Sequence, residues 1–206
     1  MVSKHIGADA VREVIAPVDI FAVDAFEQQL ELIEGDAAKA DHIAARVKKT
    51  ITVKMEEDPT LYRRLSEIIN ETISNHRAKR LSDADYLNKM RGMLVQLQSG
   101  ERANIPEVLR GRGDAIAYYG VLGELMDASR EDEVYVAKMA TMIDDVISSK
   151  KIRDWGSNID IKNSMMNEIE DVLYDASRLH GFSFSAEVVD AMIEKLILVA
   201  QRRDLV

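Results

Sequence analysis

The chain has 206 residues, no cysteine and a formal net charge of −9, from 27 Lys and Arg against 36 Asp and Glu. Without cysteine there is no disulfide framework, no Cys-ligated metal or iron–sulfur centre and no thiol catalysis. No apolar run approaches the ~18 residues of a membrane span, and with only 3 Pro and 10 Gly the turns are too few for a many-stranded barrel, so long helices are favoured.

The first stretch, Val18-Asp19-Ile20-Phe21, reads as a short turn or extended piece. A helix carrying Phe26, Leu30 and Ile33 follows, with Gly35 as its C-terminal cap and Asp36 capping the next. That second helix is expected from about Ala37 to Glu56, on the row Ile43, Val47, Ile51 and Met55, with Lys48, Lys49 and Lys54 mostly off it. Its β-branched run Thr50–Val53 weakens helix propensity, yet a strand there would lack partners. Asp58-Pro59 is a helix start: Asp caps, and Pro at the first position has φ already set. Leu61, Leu65, Ile68, Ile69, Ile73 and His76 should form the buried face of the third helix. Ser82 caps the fourth, with Asp85 three residues on and the stripe Leu87, Met90, Leu94 and Leu97; Ser99-Gly100 closes it. These two helices should pair antiparallel.

Pro106 opens a short helical turn, and Gly111-Arg112-Gly113 breaks the chain before a helix from about Asp114 to Asp127, buried at Tyr118, Leu122, Leu125 and Met126. Glu131-Asp132-Glu133 starts another, with the stripe Val136, Ala137, Ala140, Ile143, Val146 and Ile147. The only Trp, Trp155, follows a loose Ser148–Lys151 segment; it is read as a core anchor between helices or, alternatively, as an interface to a neighbouring domain. Ile161 to Leu179 gives a seventh helix ended by His180-Gly181, and Ser185 caps a last helix whose wide apolar face suits central packing. The fold expected is all-α: an irregular bundle of about seven to eight helices with antiparallel hairpins. Residues 1–35 would be a connecting segment with one short helix and 36–206 the helical domain, with a sub-boundary at 100–113.

Charge divides unevenly along this order. Residues 1–35 carry net −5, residues 36–112 net +4, and residues 113–206 net −8. The middle segment alone has a cationic surplus. Its candidate phosphate contacts are Arg63, Arg64, Arg77, Lys79, Arg80, Arg110 and Arg112, set against the reading that they are a solvated helix face.

Catalytic signatures are missing. There is no G-x-x-x-x-G-K-[ST], and Gly111-Arg112-Gly113 is a lone G-x-G with no strand before it. H-E-x-x-H, Glu-x-x-His and G-x-S-x-G do not occur, and His5, His42, His76 and His180 are dispersed. His76 and His180 fall near helix ends, where they suit the dipole. The adjacent acids Asp144-Asp145 and the group Glu168, Glu170 and Asp171 read as solvated helix faces, because neighbouring residues on a helix diverge. No catalytic, cofactor-binding or metal-ligating residue is assigned.

The ordered pieces resemble the C-terminal helical domain of type I restriction enzyme R subunits. His42-Ile43-Ala44-Ala45-Arg46-Val47-Lys48-Lys49-Thr50-Ile51 resembles that family's first long helix. Asp58-Pro59-Thr60-Leu61-Tyr62-Arg63-Arg64-Leu65-Ser66 resembles its D-P helix start, with the aromatic one place later. Arg80-Leu81-Ser82-Asp83-Ala84-Asp85-Tyr86-Leu87 resembles its basic turn leading to a Tyr-Leu pair. Weaker echoes are Val18–Phe21, Ile105-Pro106-Glu107, Ala117-Tyr118-Tyr119-Gly120 with Leu122, and Asp154-Trp155 with Asn158, so the likeness runs from about residue 18 to 200.

The resemblance implies a non-catalytic helical domain that braces an ATP-dependent DNA translocase and endonuclease and contacts the methyltransferase core. The chain would then be a piece of a larger cytoplasmic subunit, with the remaining R-subunit domains as partners. ATP and Mg would serve the parent enzyme rather than this chain, and duplex DNA would be met through the complex. The alternative is a helical module whose basic segment 36–112 touches duplex DNA itself.

Overall fold

A computed structural model describes residues 18–99, 105–126 and 132–205. Gly100, Asp127, Glu131, His5 and the 100–104 part of the expected sub-boundary lie outside the described residues. Those described form an all-α bundle of eight helices: α1 Val23–Glu31, α2 Asp36–Lys54, α3 Pro59–Arg77, α4 Asp83–Ser99, α5 Gly113–Met126, α6 Glu133–Lys150, α7 Ile159–His180 and α8 Ala186–Asp204. Single 3-10 turns at Glu107–Leu109 and Trp155–Ser157 precede α5 and α7.

The starts follow side-chain chemistry. Asp58 accepts the Leu61 N–H at 3.0 Å with Pro59 at the first helical position. Ser82 accepts the Asp85 N–H at 3.1 Å, Asn158 accepts from Asp160 and Ile161, and Ser185 accepts from Val188. One expected cap moves by a residue. Gly35, not Asp36, precedes α2, with φ 85° and ψ 140°. Only glycine adopts that conformation without strain, so Asp36 becomes a first-turn acid facing the positive end of the helix. The β-branched run 50–53 is helical, and its threonines bond back along the helix: Thr50 Oγ1 to the Arg46 carbonyl and Thr52 Oγ1 to that of Lys48.

Two apolar cores result. The first joins Ile20, Phe26 and Leu30 to Ile43, Val47, Leu65, Ile69, Tyr86, Met90 and Leu94. α1 is therefore packed into the α2–α4 core. Within this core α2 packs most extensively against α4, more than α3 does. The buried row of α3 is Tyr62, Leu65, Ile69 and Thr72, so the stripe is rotated from the one expected and Ile68 is exposed. The second core gathers Leu109, Tyr118, Leu122, Ile143, Ile147, Trp155, Ile169, Leu173, Met192 and Leu196 from α5 to α8. Leu179, expected in the α7 stripe, is exposed.

The two cores meet where α3 lies against α5. A Cβ added at Gly120 would stand 3.1 Å from the Thr60 side chain, so glycine permits the close approach. Ion pairs Arg63–Glu124 and Arg202–Glu56 fasten the same junction from either half.

Candidate interaction surface

The positions singled out in the basic segment separate into two groups. Arg63 and Arg112 are engaged with carboxylates of the acidic half. Arg63 pairs with Glu124, which also accepts from Thr60 Oγ1 at 3.3 Å. The Arg63 guanidinium holds the Glu124 carboxyl below its usual range. Arg112 bridges Asp144, at 2.7 Å, and Asp145 on α6. Its own proton is held more tightly for that reason, with the Asp145 hydrogen bond the largest cause.

Asp144 is 8% exposed, so the solvated face expected for the Asp144-Asp145 pair is corrected by half. Asp145 is exposed as expected, whereas Asp144 points inward and meets Arg112 and the Ser148 hydroxyl. A buried carboxylate requires such a partner, because desolvation otherwise favours its neutral form.

Arg64, Arg77, Lys79, Arg80 and Arg110 are exposed and form no ion pair among the described residues. Three of them share one turn. α3 ends in a Schellman motif: the Arg80 N–H donates to the Asn75 carbonyl and the Lys79 N–H to that of His76, both at 2.9 Å. Lys79 takes the left-handed position, with φ 57°, where glycine is the usual occupant. Arg64 lies about 20 Å away along α3, at 1.5 Å rise per residue. The seven positions thus do not form one patch.

Beside the Schellman turn lies an open basin of about 540 Å³ lined by His76, Arg77, Lys79, Asp41, Asp83 and Tyr86, among others. His76 Nε2 is 2.8 Å from Asp83 Oδ1, and its ring stacks on Tyr86 with centroids 4.2 Å apart. The buried Tyr86 donates its hydroxyl to Asp41 at 2.9 Å. Burial first, and the Asp41 carboxylate second, push the phenol well above its ordinary value, so it stays protonated. The arrangement locks α2, α3 and α4 together by paired groups. It leaves the cations of the turn outward. The sequence stripe for α4 began one residue late, at Leu87, and so passed over Tyr86.

Trp155 sits in the second core, 1% exposed, and its indole N–H donates to Asp204 Oδ2 at 2.8 Å. The core-anchor reading describes this placement. The interface reading does not, because the ring is covered by α8 and its neighbours within the chain. Around it runs a charged network. Lys151 reaches both Asp114 and Asp204, and Arg203 binds Asp114 at 2.6 Å. Burial would raise the Asp114 carboxyl, but Arg203 and Lys151 outweigh it and the net shift is downward.

Among the described residues no group of three His, Cys, Asp or Glu is placed to hold a metal ion, and no helix is long and apolar enough to cross a membrane. Both halves carry exposed charges of both signs; the outward cations Arg77, Lys79 and Arg80, without an ion pair among the described residues, are gathered at the end of α3.

Residues 1–200 match the family model described as "Type I restriction enzyme HindI endonuclease subunit-like, C-terminal". No curated protein and no solved structure matches the chain. The match covers nearly the whole sequence and takes in every ordered motif from Val18-Asp19-Ile20-Phe21 to Asp154-Trp155. The chain belongs to the family of C-terminal domains of HindI-like type I restriction enzyme endonuclease subunits.

Proposed function

We propose that the chain is the helical docking domain of its endonuclease subunit. It braces the ATP-dependent translocase and endonuclease domains and contacts the methyltransferase core, and it carries no catalytic step of its own. The observation that supports this most is the family match over residues 1–200 in a sequence without the nuclease or translocase signatures. The construction suits bracing: two apolar cores are joined by the tight α3–α5 contact and ion pairs from both sides.

The experiment is deletion of this domain from the full subunit. DNA-dependent ATP hydrolysis by the motor should then uncouple from translocation, measured as triplex displacement per ATP. Unchanged coupling and unchanged association with the methyltransferase core would refute the proposal.

A second reading is favoured by one feature, the outward cations Arg77, Lys79 and Arg80 held on a single Schellman turn. There the turn touches a duplex phosphate backbone while the motor supplies the main grip. Binding of the chain to duplex DNA would then fall steeply with salt. Reversing Arg77 and Arg80 to Glu should abolish it, and a flat salt response contradicts this reading.

A further inference from the structure

The N-terminal turn and one face of α2 enclose a cleft of about 580 Å³, within the range of peptide and small-molecule sites. On α2 it is lined by Arg46, Lys49, Thr50, Val53 and Lys54. That 3-1-3-1 spacing is a single helical stripe, flanking the buried stripe Ile43, Val47 and Ile51. The opposite wall is Val18–Phe21.

This wall is fastened from three directions. Arg46 donates to the Val18 carbonyl, the Gln98 amide donates to the Ile20 carbonyl, and the Phe21 N–H donates to Asp19 Oδ1 at 3.0 Å. Ile20 is buried beneath it. The cleft is therefore formed before anything enters it, which lowers the ordering cost of binding.

Its chemistry is two-sided. Phe21 is 42% exposed and Val53 73% exposed, and both line this one cleft. Around them stand Arg46, Lys49 and Lys54. Lys49 has no ion pair among the described residues, and Lys54 Nζ lies 5.7 Å above the Phe21 ring while also pairing with Glu57. Asp19 is the one acid of the lining, and it is engaged by the Phe21 N–H.

We propose that this cleft docks an acidic amphipathic segment of a partner protein, apolar side chains against Phe21 and Val53 and carboxylates toward Arg46, Lys49 and Lys54. Helix-in-groove recognition uses this combination of apolar floor and charged rim. A nucleic-acid strand fits less well, because it needs open ring faces along a cationic track. Phe21 is the one ring here, and Lys54 already sits over it. The inference rests on the docking reading above and names the chemistry of one docked element.

The test is fluorescence anisotropy with the full chain and four labelled probes: a helical peptide of Leu and Glu, one of Gln and Glu, one of Leu and Lys, and an oligothymidylate. The Leu/Glu peptide should bind saturably and the other three should not. Lys49→Glu and Val53→Asp, both at exposed positions and verified as folded by circular dichroism, should each weaken it about five-fold or more. Arg153→Glu, far along the chain and fully exposed, should leave it unchanged. Equal binding of the Gln/Glu peptide, or competition by oligothymidylate, overturns the proposal. So does a Leu/Glu peptide that fails to bind; if the chain still associates with the methyltransferase core, that failure leaves the docking reading standing.

Discussion

The indole N–H of Trp155 donates to the carboxylate of Asp204 at 2.8 Å, tying the 3-10 turn before α7 to the last residue of α8. Trp155 is buried among α5–α8, and a buried indole N–H left without an acceptor costs about 1–3 kcal/mol. Asp204→Ala should therefore destabilise by that amount in urea denaturation. Trp155→Ala should cost more, about 3–5 kcal/mol, because it also empties a large core volume. In the intact chain the Trp emission should be blue-shifted and resist iodide quenching; a red-shifted, readily quenched signal contradicts the placement.

The network around that bond gives a pH dependence. Asp114 has its carboxyl held down by Arg203 and Lys151. A carboxylate with a depressed folded value binds fewer protons folded than unfolded. It adds stability above the ordinary aspartate range of about 3.9, and that stability is lost as pH falls through the folded value. Asp114→Asn should lower stability at neutral pH and flatten the acid limb of a stability–pH curve. An unchanged acid limb would show that Asp114 is not the group responsible.

The two arginines matched to acids of α5 and α6 should differ. Arg63→Ala removes a half-exposed pair with Glu124 and should change stability by less than about 1 kcal/mol. Arg112→Ala leaves Asp144, 8% exposed, with only a weak contact to Ser148, and should cost about 3 kcal/mol. Thermal denaturation of the two variants side by side checks the order. A larger loss for Arg63→Ala would reverse it.

Lys79 occupies the left-handed position of the α3 Schellman motif. A non-glycine residue there carries about 1 kcal/mol of strain. Lys79→Gly should raise stability by up to that amount, less the added entropy of glycine in the unfolded chain. Guanidinium denaturation is the measurement, and a destabilised Lys79→Gly would contradict the assigned backbone.

Helix starts were legible because they are local. Asp58-Pro59, Ser82 and Ser185 satisfy N–H groups within three residues; the Asn158 cap of α7 shows only in the structure. The rows of α6 and α8 were legible because aliphatic side chains mark them. Tyrosines were legible only in part: Tyr118 falls on the expected α5 row, whereas Tyr62 and Tyr86 lie outside the expected stripes, and the acceptor that lets Tyr86 be buried, Asp41, is 45 residues away. Charge summed by segment likewise missed that Arg63 and Glu56 are matched across the two halves, and that Arg112 is matched by Asp144 within the second. The cleft cations Lys49 and Lys54 were visible as residues off the apolar row of α2. Their meaning depended on the turn 18–21 folding over them, a contact that no periodicity encodes.

Docking is the central claim, and sedimentation velocity of the purified chain mixed with the purified methyltransferase core tests it most directly. A faster-sedimenting complex should appear, persist at physiological ionic strength, and leave the core's own assembly intact. Two species that sediment independently at every ratio, with the chain folded by circular dichroism, would contradict it.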